Sequence, residues 1–419
     1  MKNNIGKLLK ENEIKALVVS GESQHNPPIA YFSRGCFFTQ TDIIIKQNNE
    51  IILFYRPMER DTAEKTGIKE RYCYDELIKG ESFIKQSGGD ENKARGLELK
   101  AMLEKAGIAS GKVAFCGRLE FGNAYAQICE LKKVMPEIDV VTDEGIKILN
   151  QVRYTKDENE LEAIRHMSVI TTTVVGRVEK LIRSSFLKNG IVVDQDGNPL
   201  TIGRVKELIN LWLGELGAEN PEGTIFSMGK DAGVPHNSGN DAEPVQAGKS
   251  IVFDFFPCEM GGGYFYDFTR TWCVGYAPEK VAECYQQVKT VHDKLICSIH
   301  KGMTFKETQM MTCDMFEKMG HPTVKSNPKT RVGYVHSVGH GVGLNIHERP
   351  FSGFTASDED ILLPGVTFTI EPGLYYPEEE NGFGVRIEDT LYMDQEGKVH
   401  IFTEYPYQLV LDVPEWEKK

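Results

Sequence analysis

The sequence predicts an α+β chain of two domains, a smaller α/β domain over residues 1–150 and a larger one over 151–419, and three observations lead there. The 419 residues exceed the roughly 300 that one hydrophobic core usually supports. A polar stretch, Arg153 to Glu160, is followed at once by apolar residues at helical spacing, which places the boundary just before it. After Ala247–Gly248 the pattern changes to short alternating strands separated by glycine-rich turns.

In chain order, a helix is predicted near Ile5–Asn12 and a strand at Ala16–Ser20, with further strands at Asp42–Lys46, Glu50–Phe54 and Val113–Phe115. No chemical motif falls in this part. Cys36, Cys73 and Cys116 lie far apart without histidine neighbours, so no metal role is expected of them. Leu161, Ile164, Met167, Ile170, Val174, Val178 and Ile182 recur at intervals of three and four, the mark of a long amphipathic helix. Further helices are predicted over Arg204–Leu216 and Pro278–Ile299. Short strands run from Ile251 to about Leu411, interrupted by helix near 279–319, and this is where the chemistry is expected.

Bulk properties exclude some classes. A hydrophobic share of 40% and a charged share of 26% are those of an ordinary soluble protein. The formal net charge of −13 argues against non-specific binding to nucleic acid or to an anionic membrane, both of which need clustered Lys and Arg. No apolar stretch near the N-terminus suits a signal peptide and no 18-residue apolar run occurs, which reads as cytoplasmic. The nine cysteines are odd in number, scattered and free of C-x-x-C pairs, so reduced thiols are expected.

The chemistry-bearing residues fall in separate segments. In Ser250–Thr271, Asp254 sits within an otherwise apolar strand, and the Gly261–Gly262–Gly263 turn sends back a strand, Tyr264–Thr271, that carries Asp267, so a hairpin would bring the two acids together. Two such carboxylates repel, and one stays protonated unless cations hold them. In His336–Pro350, His336, His340 and His347 follow one another through a glycine-rich stretch that suits imidazoles gathered about something bound. Glu371 shares a strand face with Thr367 and Thr369, and Arg386 shares one with Glu388. Taken singly, each acid is commoner as a solvated surface group. Jointly, four carboxylates match the charge of two divalent cations, and an oxygen-rich shell with one imidazole favours Mn²⁺, Co²⁺ or Zn²⁺ over thiolate-loving ions.

These motifs, D-F-T-R-T, G-H-G-V-G, I-E-P-G and R-I-E-D in that order, resemble those of the pita-bread metallopeptidases, which include Xaa-Pro aminopeptidase, prolidase, methionine aminopeptidase and the metal-free creatinase. The resemblance covers roughly residues 155–410, and residues 1–150 resemble the creatinase-type N-terminal domain of the proline-directed members. It implies a C-terminal pita-bread fold in which Asp254 holds one metal, Asp267 and Glu388 bridge both, and His340 with Glu371 completes the other. It also implies substrate-handling roles for His236 in V-P-H-N, His336 in Y-V-H-S-V-G-H and His347 in N-I-H-E-R-P, with Arg386 orienting ligands beside the metals. One departure stands out: twelve residues separate Asp254 from Asp267, a longer turn than is commonest in the family.

The activity the resemblance implies is hydrolysis of Xaa-Pro bonds at the N-terminus of short peptides or in dipeptides. A hydroxide shared by two metals would attack the carbonyl while Glu371 carries the proton to the leaving nitrogen. Proline-containing peptides are the expected partners, and the family's frequent homodimers imply a second copy. The alternatives are a creatinase-like C–N hydrolase and a non-catalytic peptide-binding protein on the same fold.

Overall fold

A computed structural model describes residues 4–379 and 381–417, and the chain divides into two compact units. The first comprises Met1–Arg153 with Gly261–Gly263, and the second Tyr154–Met260 with Tyr264–Lys419. Among the described residues, no helix is long and apolar enough to cross a membrane.

The first unit is built on a six-stranded sheet in the order Glu70–Cys73, Ile51–Tyr55, Thr41–Lys46, Ile14–Gly21, Gly111–Arg118, Ile138–Val141. Its middle strands pair antiparallel and its outer pairs are parallel. The run Ile43–Ile45 is buried along its whole length, as suits a β-branched strand covered on both faces. Leu99, Met102 and Leu103 from the Glu91–Lys105 helix and Leu131 from the Phe121–Val134 helix pack with Val18, Ile44 and Phe54. Strand predictions here are met within two or three residues at each end, but these two helices were not foreseen. In Glu91–Lys105 charged residues outnumber apolar ones, so no clear apolar stripe shows in the sequence.

The second unit holds an antiparallel sheet whose main path runs Thr224–Met228, Ser250–Phe255, Phe268–Val274, Glu388–Met393, Thr367–Ile370, His340–Gly341, Glu348–Phe351. Helices Glu158–Arg183 and Ile202–Glu215 pack with Phe253, Phe255 and Trp272 in one core. Helices Glu279–Ser298 and Phe305–Lys318 pack with Phe368, Ile370 and Leu391 in another. The central strands are therefore packed between helices, and their side chains are buried along their length.

The helix expected over Pro278–Ile299 is present as Glu279–Ser298, and after a break where Gly302 takes φ of 89° the helical stretch near 279–319 resumes as Phe305–Lys318, started by a capping box between Thr304 and Glu307. One expectation needs correction. The strand returning from the glycine turn begins at Phe268, not Tyr264, because Cys258–Glu259 pairs instead with Ala218–Glu219 and takes up the extra length of the turn. Asp267 thus stands at the mouth of a strand rather than within it.

The long helix begins with a reciprocal cap: Asp157 Oδ1 accepts from Glu160 N at 3.1 Å, and Asp157 N donates to Glu160 Oε2 at 2.9 Å. Replacing Asp157 by Ala is expected to lower the stability of the second unit by about 1 kcal/mol. The check is the denaturant midpoint, which should fall while the slope of the transition stays unchanged.

Candidate metal centre

Sheet register brings the acids together. Asp254 stands opposite Thr269, and Thr269 opposite Glu388, so three adjacent strands present one row. Thr269 Oγ1 in the middle donates to Glu388 Oε2 at 2.7 Å and accepts from Arg386 Nε at 3.4 Å. Asp267 caps its own strand, its Oδ1 accepting from Phe268 N at 3.0 Å, while Thr390 Oγ1 donates to the Asp267 carbonyl at 2.8 Å. Glu371 lies one residue beyond the Thr367–Ile370 strand, and its backbone N donates to Val338 O at 2.8 Å.

His340 completes the group. Its Nδ1 lies 3.1 Å from the Gly341 carbonyl, to which it donates, so Nε2 is left with its lone pair. That Nε2 lies 3.5 Å from Asp267 Oδ2 and 3.5 Å from Glu371 Oε1. Burial first, and the neighbouring His347 second, hold the His340 pKa down to about 3, so the ring is neutral and suited to binding a metal.

Electrostatics decide what the group can do. Burial pushes the Asp267 and Glu388 carboxyls well above the usual range, and neighbouring carboxylates push them further. Glu371 rises to about 8, chiefly by burial, against the opposing pull of Arg386. Arg386 is the cation at the cluster, donating from Nη2 to Asp254 Oδ2 at 2.5 Å. One guanidinium cannot offset four carboxylates. Asp254 Oδ1 and Glu388 Oε1 are buried with no hydrogen-bond partner, which leaves acceptor lone pairs uncompensated. Asp267, His340 and Glu388 each offer a donor atom within 4.8 Å of the others. Oxygen donors, one neutral imidazole and orphaned carboxylate oxygens fit divalent cations.

Asp254, Asp267, His340, Glu371 and Glu388 all line one cavity of about 1340 Å³, together with His236, His336 and His347. His347 is exposed there, its ring centroid 4.3 Å from that of His340, and His236 is exposed in the turn after Asp231–Gly233. His336 differs from both, since Nδ1 lies 2.7 Å from Ser337 O and Nε2 lies 2.9 Å from Tyr375 Oη. Both its ring nitrogens are engaged. Tyr375 Oη also accepts from Arg386 Nη1 at 2.7 Å, which continues the line Asp254, Arg386, Tyr375, His336. Tyr375 and Thr269 were not singled out in the sequence, although Thr269 lies within D-F-T-R-T and Tyr375 four residues beyond Glu371.

Residues 162–395 match metallopeptidase family M24. The chain is 26% identical over 264 residues to the probable dipeptidase PepE of Mycobacterium tuberculosis, covering 63% of this chain and 62% of that protein. It is 34% identical over 182 residues to the Xaa-Pro dipeptidase of Pyrococcus furiosus, covering 43% and 47%. These matches thus span less than two thirds of either relative's length. The crystal structure of the prolidase from Pyrococcus horikoshii OT3 superposes with a TM-score of 0.71 at 23% identity, covering 97% of this chain and 99% of that one, which shows the pita-bread fold.

Without cations, Glu371 keeps its proton in the folded state up to about 8, whereas the unfolded chain releases it near 4.5. The native form then holds more protons across that window, so stability is greatest at its acid end and is lost as pH rises. Chelator-treated protein is expected to show a Tm that falls between about pH 5 and pH 8, and excess Mn²⁺ to abolish the fall by holding the carboxylates ionised. A Tm of the metal-free protein that rises across the window would refute this account. Replacing Asp267 by Ala is expected to leave far less bound metal after dialysis, as read by elemental analysis.

Proposed function

The chain belongs to metallopeptidase family M24, and we propose that it is a dinuclear-metal peptidase that cleaves the bond before proline at the N-terminus of short peptides or in dipeptides. The observation that carries the reading is the pair of partnerless buried oxygens on Asp254 and Glu388 beside the Asp267, His340 and Glu388 donor atoms. A creatinase-like reaction without metals would leave those oxygens uncompensated. The names of the relatives, a probable dipeptidase and an Xaa-Pro dipeptidase, support the substrate class.

On this reading residues 151–419 form the catalytic domain and residues 1–150 a creatinase-type accessory domain. Asp254, Asp267, His340, Glu371 and Glu388 hold two divalent cations, Mn²⁺ in first place and Co²⁺ or Zn²⁺ as substitutes. When bound, such cations acidify water and polarise the scissile carbonyl. The chain's own groups do the rest. Glu371 takes the proton of the attacking water at its carboxylate and delivers it to the departing proline nitrogen, which has no N–H of its own. His347 and His236, exposed on the cavity, donate to the carbonyl oxygen as charge develops there. His336 works through Tyr375, which steadies Arg386 against Asp254. A homodimer in the cytoplasm, acting on proline-containing peptides, completes the proposal.

Purified protein loaded with Mn²⁺ is expected to release the N-terminal residue from Ala-Pro or Ala-Pro-Ala, and the ratio of the two rates separates dipeptidase from aminopeptidase. Folded, metal-loaded protein that cleaves neither would overturn the reading. Replacing His347 by Ala is expected to keep the metal content and lower kcat by about a hundredfold, the usual size for one lost oxyanion donor.

A further inference from the structure

The segment that carries His340 and His347 is tied down by an ion pair outside the site. Glu348, directly after His347, accepts from Lys156 Nζ at 2.6 Å, and the side chains of this pair are only 2% and 11% exposed. Lys156 is fixed at its own backbone, whose N donates to Gly365 O at 2.7 Å, two residues before the Thr367–Ile370 strand that leads to Glu371. The carboxylate of Glu348 lies folded against Gly343, where an added Cβ would sit 2.2 Å from Oε1. Gly341 pairs with Glu348 across the sheet, so the turn between them, with His347 in it, is closed on itself. On the far side Arg349 Nε donates to the buried Asp360 at 2.7 Å.

A buried ion pair is seldom retained for stability, since well-packed apolar residues in its place are often as good or better. This one spans 192 positions of sequence to reach the residue next to a histidine that faces the cavity. We propose that Lys156 and Glu348 are positioning residues for His347. Their ion pair, with the glycine at 343 that makes room for the carboxylate, holds the turn so that the His347 ring stays beside His340. His340 itself is held independently, its backbone N donating to Thr369 Oγ1 at 3.2 Å, so metal binding does not depend on the tether. The proposal rests on the peptidase reading above, and it names residues that are not among those lining the cavity.

The test is a double-mutant cycle on the Mn²⁺-loaded enzyme with Ala-Pro and Ala-Pro-Ala, using whichever the wild type cleaves. K156M is expected to lower kcat about ten- to a hundredfold with metal content unchanged, and K156R to restore part of the loss. In an H347A background K156M is expected to lower kcat no further, because the histidine through which it acts is gone. E348Q, which keeps the shape and removes the charge, should repeat the pattern and serves in place of K156M if that variant does not fold. Fully additive losses in the H347A background, or loss of metal in K156M, would overturn the proposal. A wild type that cleaves neither peptide would instead refute the peptidase reading, so the two failures are distinguishable.

Discussion

Four carboxylates crowded around one imidazole can all be ionised only if positive charge is held among them, and the second unit is organised by that requirement. Asp254, Asp267 and Glu388 are buried and Glu371 nearly so, with Arg386 as the cation against them. Burial and mutual repulsion raise the carboxyls, and the oxygens left without partners mark where further charge belongs. A folded chain that keeps such a group without cations holds energy against itself, which is the thermodynamic signature of a binding site.

Other buried acids in the same molecule show that burial alone does not mean function. Asp42 lies wholly buried in a strand of the first unit, yet Arg95 donates to both of its oxygens at 2.6 and 2.7 Å and the Ser20 and Tyr74 hydroxyls complete its shell. Asp389, next in sequence to Glu388, is held by Arg270 at 2.9 Å and by the Tyr407 hydroxyl at 2.6 Å, and its carboxyl is pulled down to about 2. These acids are satisfied by protein donors. Asp254 and Glu388 each keep an oxygen without a partner, and that difference separates Glu388 from its neighbour Asp389.

The antiparallel sheet is what makes the crowding possible. Cross-strand register sets Asp254, Thr269 and Glu388 in a row, and helices packed against the sheet bury the strands that carry it. Thr269 links Glu388 to Arg386 with a hydroxyl that donates to the carboxylate and accepts from the guanidinium. Around this row the supporting network reaches outward through Arg386, Tyr375 and His336, and through Glu348 to Lys156. Rigid strands carry the ligands, and hydrogen-bonded tethers carry the histidines of the turns.

Much of this was legible in the sequence, because strand alternation and helical spacing are local signals. The long helix from Glu158 was foretold by the spacing of Leu161 to Ile182, and Asp254, Glu371 and Glu388, which line one cavity, stood out as acids in otherwise apolar segments. Local patterns were silent on helices such as Glu91–Lys105, whose few apolar positions are masked by charge, and on where the strand carrying Asp267 begins. Only the tertiary structure decided which acids lack partners, that His336 has both nitrogens engaged, and that Lys156 reaches Glu348. Each of these depends on residues far apart in the chain meeting at hydrogen-bond distance, and no periodicity within a segment encodes that meeting.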